Sequence, residues 1–199
     1  MQAEKKRLRT LLRDQRRSLS PSGGREKSRC IYERIQTFAP FQHARTLVLY
    51  HADENEVQTE AIWHTAVTQN KAVYYPRVTP DLADLEFVRR YPGVRLVPGA
   101  FGILIPPGED LLEVLHTTDV VLAPGVGFDR QGHRLGRGKG YYDRAFRGVL
   151  AKALRVALAY EFQVVPEVPV DADDEPVHYV VTELGVIECG PTGSSLSMG

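Results

Sequence analysis

Cysteine is nearly missing from this chain. Cys30 and Cys189 are the only two, and neither sits in a CxxC pair or beside a His cluster at zinc spacing. A disulfide framework and a structural zinc are thereby excluded, and a reducing compartment is expected. Net charge is missing too: 25 Lys and Arg balance 25 Asp and Glu, so the overall balance calls for no nucleic-acid or membrane partner. No run approaches the roughly 18 apolar residues of a membrane span, and the opening Met-Gln-Ala-Glu-Lys-Lys-Arg leads into no apolar stretch of signal-peptide length. A cytoplasmic protein is expected. No G-x-S-x-G elbow appears, and Cys30 falls inside a helical pattern, which argues against a hydrolase built on a serine or cysteine nucleophile.

What is present suits one domain. With 199 residues and 43% hydrophobic content the chain can bury a substantial core, and residues 1–189 read as a single domain. Residues 190–199, rich in Gly, Ser and Thr, read as a disordered tail. Leu8, Leu11, Leu12 and Leu19 recur at helical spacing among Lys and Arg, predicting an amphipathic helix with a basic face over residues 4–19. Ser20-Pro21 reads as an N-cap with proline in the first helical position, and Cys30, Ile31, Arg34, Ile35 and Phe38 stripe a second helix that Pro40 ends.

Thr46-Leu-Val-Leu-Tyr50 is an apolar run of the kind buried on both faces of a parallel sheet. A helix over 59–69, capped by Thr59, leads to a strand at 72–75 that Pro76 closes. Residues 79–107 loosen into small strands and loops. Strands follow at 119–123, 155–159 and 177–182, with a helix from about Lys139 after the first of them. This alternation predicts an α/β fold, a mostly parallel sheet with helices on both faces in three layers, α/β/α, with ligands at the carboxyl ends of the strands.

The informative stretch follows the 119–123 strand: Pro124-Gly-Val-Gly-Phe-Asp-Arg-Gln-Gly-His-Arg-Leu-Gly-Arg-Gly-Lys-Gly-Tyr-Tyr-Asp143. Its glycines let backbone N–H groups turn inward around an anion, and Arg134, Arg137 and Lys139 supply matching charge. A helix starting near Gly138 would add its positive dipole end. The stretch is no Walker A loop, because His133 stands at that motif's first glycine and Gly140 stands where Ser or Thr is needed. Nor does Gly136-x-Gly138-x-Gly140 match the dinucleotide fingerprint. On the residues alone, a basic surface loop fits as well as a phosphate cradle.

The whole pattern is more specific. Phe128-Asp129, Arg134-Leu-Gly136 and Gly138-x-Gly-Tyr-Tyr-Asp143, after a Val-Leu-Ala-Pro-Gly strand end, closely resemble the signature of the 5-formyltetrahydrofolate cyclo-ligase family, also called methenyltetrahydrofolate synthetases. The resemblance extends to Lys5-x-x-Leu-Arg9, Leu49-Tyr50, Glu56-Val-x-Thr59, Tyr75-Pro76, Phe101-Gly-Ile103, Gln163, Asp174 and Val181-Thr-Glu183, and so covers nearly all the chain before Gly190.

That resemblance implies an enzyme that uses ATP to convert 5-formyltetrahydrofolate, with or without a polyglutamate tail, to 5,10-methenyltetrahydrofolate, with Mg2+ as cofactor. It implies an ATP site made of Lys5, Arg9, Arg134, Gly136, Arg137, Gly138, Lys139, Gly140, Tyr141 and Tyr142. Asp143 and Asp174 would hold the metal, and His51, Glu56 and Tyr141 would contact the folate. A monomer is expected. Without the resemblance, Lys5 and Arg9 read as a solvated basic face or a weak RNA contact, Asp143 as an early-helix carboxylate, and Asp174 as part of an exposed acidic loop with Asp171, Asp173 and Glu175. Either tyrosine could border the nucleotide or stack on the pterin.

Three positions depart from the family pattern. Ile105 stands where many relatives have Glu, Gly127 where alanine is common, and His178 where an aspartate is frequent. Two other classes of protein share parts of the pattern: a sugar-phosphate isomerase or small-molecule kinase on a related scaffold, and a binding protein using the basic first helix. Nucleotide consumption tied to a folate separates the first from a cyclo-ligase, and salt-dependent nucleic-acid binding identifies the second.

Overall fold

A computed structural model describes residues 1–190, and the rest of the expected tail lies outside the described residues. Two long helices come first, α1 (Gln2–Arg17) and α2 (Pro21–Thr37), followed by the short α3 (Ala39–His43), β1 (Thr46–Val48) and α4 (Glu60–Thr68). β2 (Ala72–Val78) and β3 (Leu85–Arg89) form a hairpin, and β4 (Val97–Pro98) and β5 (Leu104–Ile105) a second, smaller one. After β6 (Val120–Ala123) come a third hairpin, β7 (Gly127–Phe128) and β8 (Arg134–Leu135), then α5 (Tyr141–Arg147), β9 (Leu154–Leu158), β10 (Tyr179–Val181) and β11 (Val186–Glu188).

Seven strands make the central sheet in the order β11-β10-β9-β6-β1-β2-β3. The five inner strands are parallel, and both edge strands, β11 and β3, pair antiparallel. The inner strands are the apolar runs, because each must bury both faces. Ile31, Ile35, Phe41, Ile62 and Trp63 from α2, α3 and α4 pack on one face against Leu47, Leu122 and Val156. Phe146 of α5, with Leu115 and Leu150, covers Val48 and Val121 on the other. The expected three layers are present, though the second helical layer holds only one short helix.

Several local expectations give way to tertiary contacts. Ser20 does cap α2, accepting the Gly23 N–H at 3.1 Å. Thr59 does not cap α4; its hydroxyl donates to the Tyr50 carbonyl at 2.6 Å and ties the helix entry to the end of β1. Pro40 opens α3 as well as following α2. Pro76 does not close β2. It faces the side where β1 has already ended, since β1 pairs only as far as Tyr74, so its missing N–H leaves no gap in the ladder. α5 begins at Tyr141 rather than near Lys139, because Gly140 holds a left-handed backbone (φ 67°) that interrupts any helix before it.

α1 differs most from its expected role. Its buried residues are Lys5, Leu12 and Arg16, while Leu11 is 54% exposed. Two of its basic residues therefore face inward with Leu12, while Lys6, Arg7 and Arg17 stay exposed, and the helix lies across the carboxyl ends of the strands rather than on a sheet face.

Those carboxyl ends define the cleft. From β1 the chain crosses to β2 on one side, whereas β6, β9 and β10 succeed one another on the other, so β1 and β6 flank the point where strand order reverses. Loops leaving two such strands diverge and open a crevice. The β7–β8 turn helps shape it: buried Asp129 accepts the N–H groups of Gln131, His133 and Val168, and Gly132 (φ 91°) lies so close to Val177 that a Cβ would stand 2.2 Å from its carbonyl oxygen. Gly132→Ala is expected to cost at least about 2 kcal/mol from backbone strain and this clash. Thermal unfolding should show a Tm lower by at least about 4 °C; an unchanged Tm contradicts the close approach.

Candidate functional site

A cleft of about 470 Å³ opens at this reversal point, and every expected site residue lines it: Lys5, Arg9, His51, Glu56, Arg134, Gly136 through Asp143, and Asp174. The cleft has two characters. One half is ionic, made by α1, the loop 136–140 and the acidic loop 171–174; the other is apolar, made by Pro76, Val78, Leu85, Phe101, Ile103 and Ile105. Ile105, the residue that replaces an acid, belongs to the apolar half and packs over Gly99.

In the ionic half three of the five lining cations already have an anion. Lys5 donates to Asp171 at 2.8 Å and also to Asp174. Burial pulls the Lys5 ammonium down, but the two carboxylates outweigh it and leave its pKa raised. Burial likewise pushes Asp174 up, yet its bonds from Lys5 and from the Asp171 N–H hold it below the usual carboxylate range. Arg134, 6% exposed, donates to Asp143 at 2.8 Å. Arg137 donates to Asp53 at 3.0 Å and Glu56 at 2.9 Å, and Arg9 to the Gly136 carbonyl at 2.9 Å. The Lys139 side chain makes no hydrogen bond or ion pair among the described residues, though the residue lines the cleft.

Asp143 and Asp174 each commit one oxygen to the protein: Asp143 Oδ1 accepts from Arg134 and the Glu175 N–H, and Asp174 Oδ2 from Lys5 and the Asp171 N–H. Among the described residues no donor reaches their other oxygens. Magnesium binds through one or two carboxylates and takes its remaining oxygens from water and phosphate, so this pair fits that ion. A self-sufficient cage is a different matter: no group of three or more His, Cys, Asp or Glu able to hold a metal occurs among the described residues.

The tyrosines separate. Tyr141 donates to the Leu82 carbonyl at 3.0 Å, which ties it to the β2–β3 turn. The Tyr142 hydroxyl is buried with no protein partner among the described residues, and burial pushes its phenol well up. It is thus a buried neutral donor without a protein partner, on a residue that lines the cleft. Glu56, 6% exposed, accepts from Arg137 and from the Asp53 N–H and lies 3.5 Å from Arg16; His51 lines the cleft beside it.

Sequence reading missed Asp171, Arg16, Asp53 and the apolar wall. Asp171 stands three residues before Asp174 in a loop whose other acids turn outward, Asp173 to Arg147 and Glu175 to Arg155. Nothing local marks Arg16, because its partners lie far along the chain.

The fold and cleft define an open α/β protein that binds ligands at its strand-order reversal, with an ionic and an apolar half-site side by side. The 5-formyltetrahydrofolate cyclo-ligase family model matches residues 1–183. Among relatives, the mouse 5-formyltetrahydrofolate cyclo-ligase is 31% identical over 90% of this chain and 93% of its own length. The Escherichia coli K12 enzyme of the same name is 32% identical over 89% of this chain and 100% of its own. The solution structure of Aquifex aeolicus 5,10-methenyltetrahydrofolate synthetase superposes with a TM-score of 0.82 at 33% identity, covering 98% of this chain and 96% of that one. The chain belongs to the 5-formyltetrahydrofolate cyclo-ligase family.

The loop after β1 carries the carboxylates of one side of the cleft, and Glu54 pins it by accepting from Arg13 at 2.7 Å and Arg17 at 2.9 Å. Burial pushes Glu54 up, but these arginines outweigh it and bring its pKa to about 2. A carboxylate depressed in the folded state stabilises above its unfolded pKa, and that contribution is lost as pH falls from about 4.5 toward about 2. Circular-dichroism melts are expected to show a smaller Tm loss in Glu54→Gln than in the wild type over this window. Parallel losses would mean that the arginines do not hold Glu54 in solution.

Proposed function

We propose that this protein catalyses the ATP-dependent cyclisation of 5-formyltetrahydrofolate to 5,10-methenyltetrahydrofolate, with residues 1–189 acting as one domain that carries both half-sites. The observation that supports this most is the joining, within one cleft, of an ionic half rich in Arg and Lys to an apolar half. Family membership supplies the substrate class.

The reaction asks for two bond exchanges. The formyl oxygen attacks the γ-phosphorus and ADP leaves; the neighbouring folate nitrogen then attacks the activated formyl carbon, and phosphate leaves carrying the proton that this nitrogen gives up. Charge must be neutralised and two reactants aligned, and little else is required of the protein. Lys139 and Arg9 have donors to offer the phosphates without breaking a carboxylate pair, and Arg134, fixed by Asp143, offers a rigid guanidinium at the junction. The Tyr142 hydroxyl has no other partner and suits an oxygen passing between the half-sites.

Five cationic and four anionic side chains line the cleft, so a triphosphate entering alone meets little excess positive charge. Asp143 and Asp174 would hold magnesium, which neutralises phosphate charge and orients the transferred group. Glu56 and His51 lie where a pterin edge would reach them from the apolar side.

The test mixes purified protein with 5-formyltetrahydrofolate, ATP and magnesium and follows the near-ultraviolet absorbance of the methenyl product together with ADP. Signal that needs all three components is expected, with kcat/KM reduced at least about 100-fold in Lys139→Ala and in Asp143→Ala, the order seen when one charge-stabilising group is lost. ADP release without cyclised product would instead assign a kinase or ATPase, and no dependence on the folate would sink the proposal.

A further inference from the structure

Arg16 stands in the last turn of α1 and is 1% exposed, although a guanidinium is costly to bury. Its Nε donates to the Glu54 carbonyl at 3.0 Å, and Nη1 lies 3.5 Å from both the Gly125 carbonyl and Glu56 Oε1. Asn55 in turn donates to the Arg16 carbonyl at 3.3 Å. One cation therefore stands where α1, the loop after β1 and the end of β6 meet, directly behind the cleft.

Glu56 has two arginine partners that differ in mobility. Arg137 approaches from the glycine-rich loop, with its side chain 39% exposed and its other bond made to the exposed Asp53 carboxylate, so it can turn toward a phosphate. Arg16 is enclosed on all sides and cannot leave. If Arg137 were the only counter-ion, its departure would strand a buried carboxylate at the moment the substrate needs it, and such a group takes up a proton or turns away.

We infer that Arg16 is a positioning residue: it keeps Glu56 paired and aimed at the substrate when Arg137 turns to the nucleotide, so that both half-sites can be filled together. This rests on the cyclo-ligase reading. It has a signature that a merely structural arginine lacks. With no nucleotide bound, Arg137 still serves Glu56 and the loss of Arg16 is partly covered; with nucleotide bound, it is not.

The experiment measures binding of 5-formyltetrahydrofolate by titration calorimetry, with and without a non-hydrolysable ATP analogue and magnesium, in wild type, Arg16→Lys and Arg16→Met. Arg16→Met is expected to weaken folate binding about tenfold or more with the analogue present and about threefold or less without it, a plausible coupling for two linked sites. In turnover, KM for the folate should rise about tenfold, and KM for ATP at saturating folate by only the roughly threefold that the lost coupling requires. Arg16→Lys, which keeps the charge but not the planar fork, should fall between and serves alone if the methionine variant does not fold. Equal weakening in the two conditions, or an unchanged folate affinity in a folded variant, overturns the inference while leaving the cyclo-ligase activity of the wild type intact. A wild type that neither binds nor converts the folate overturns both.

Discussion

Ion pairing between α1 and two distant loops, after β1 and at 171–174, holds the cleft together. The helix has one fully buried leucine, Leu12, seated against Gly127, where an added Cβ would lie 2.5 Å from Leu12 Cδ1. Its other buried residues are cations: Lys5 meets Asp171 and Asp174 near one end, and Arg16 meets Glu54 and Glu56 near the other. Partly buried pairs of this kind contribute modest net stability, yet removing one partner is expensive because the survivor stays buried. The helix is thus held less by apolar burial than by the cost of separating charges, and its position across the strand ends gives the cleft a wall it would otherwise lack.

The same pairing sets the electrostatic state of the site. Cations that could meet phosphate are largely satisfied by carboxylates, so the cleft does not carry the strong positive field that its sequence suggests. On the proposed function, binding an anion would be an exchange of partners, in which Arg137 and Lys5 would trade carboxylates for phosphate oxygens while the freed carboxylates would turn to a metal or to substrate N–H groups. Such exchange keeps buried charges paired at each stage. The bond between Glu56 and Arg137 also ties the loop after β1 to the glycine-rich loop across the cleft.

Much of the fold was legible because local chemistry decided it. The apolar runs at 46–50 and 119–123 had to be inner strands, and Ser20-Pro21 had to start a helix. Edge elements were less legible. β11 and the hairpins β4–β5 and β7–β8 are two or three residues per strand, too short for a periodic signal, and Pro76 read as a stop because its missing N–H could not be known to face an unpaired side. α1 was placed correctly and its facing only in part: Leu12 does turn inward, but Lys5 and Arg16 are buried with it and Leu11 faces water, against the assumption that leucine faces inward and basic residues outward.

For the site, residue types alone determined the glycine-rich loop's capacity to approach an anion and the family pattern from Phe128 to Asp143. Backbone freedom and side-chain charge are properties of the residues themselves, and they survive any arrangement of the chain. What only the tertiary structure decided is which charge answers which: Lys5 with Asp174, Arg137 with Glu56, and Arg16 behind them all. These partners are 169, 81 and 40 residues apart, and their meeting depends on strand order and on the path of α1 across the strand ends, neither of which leaves a mark in the local sequence.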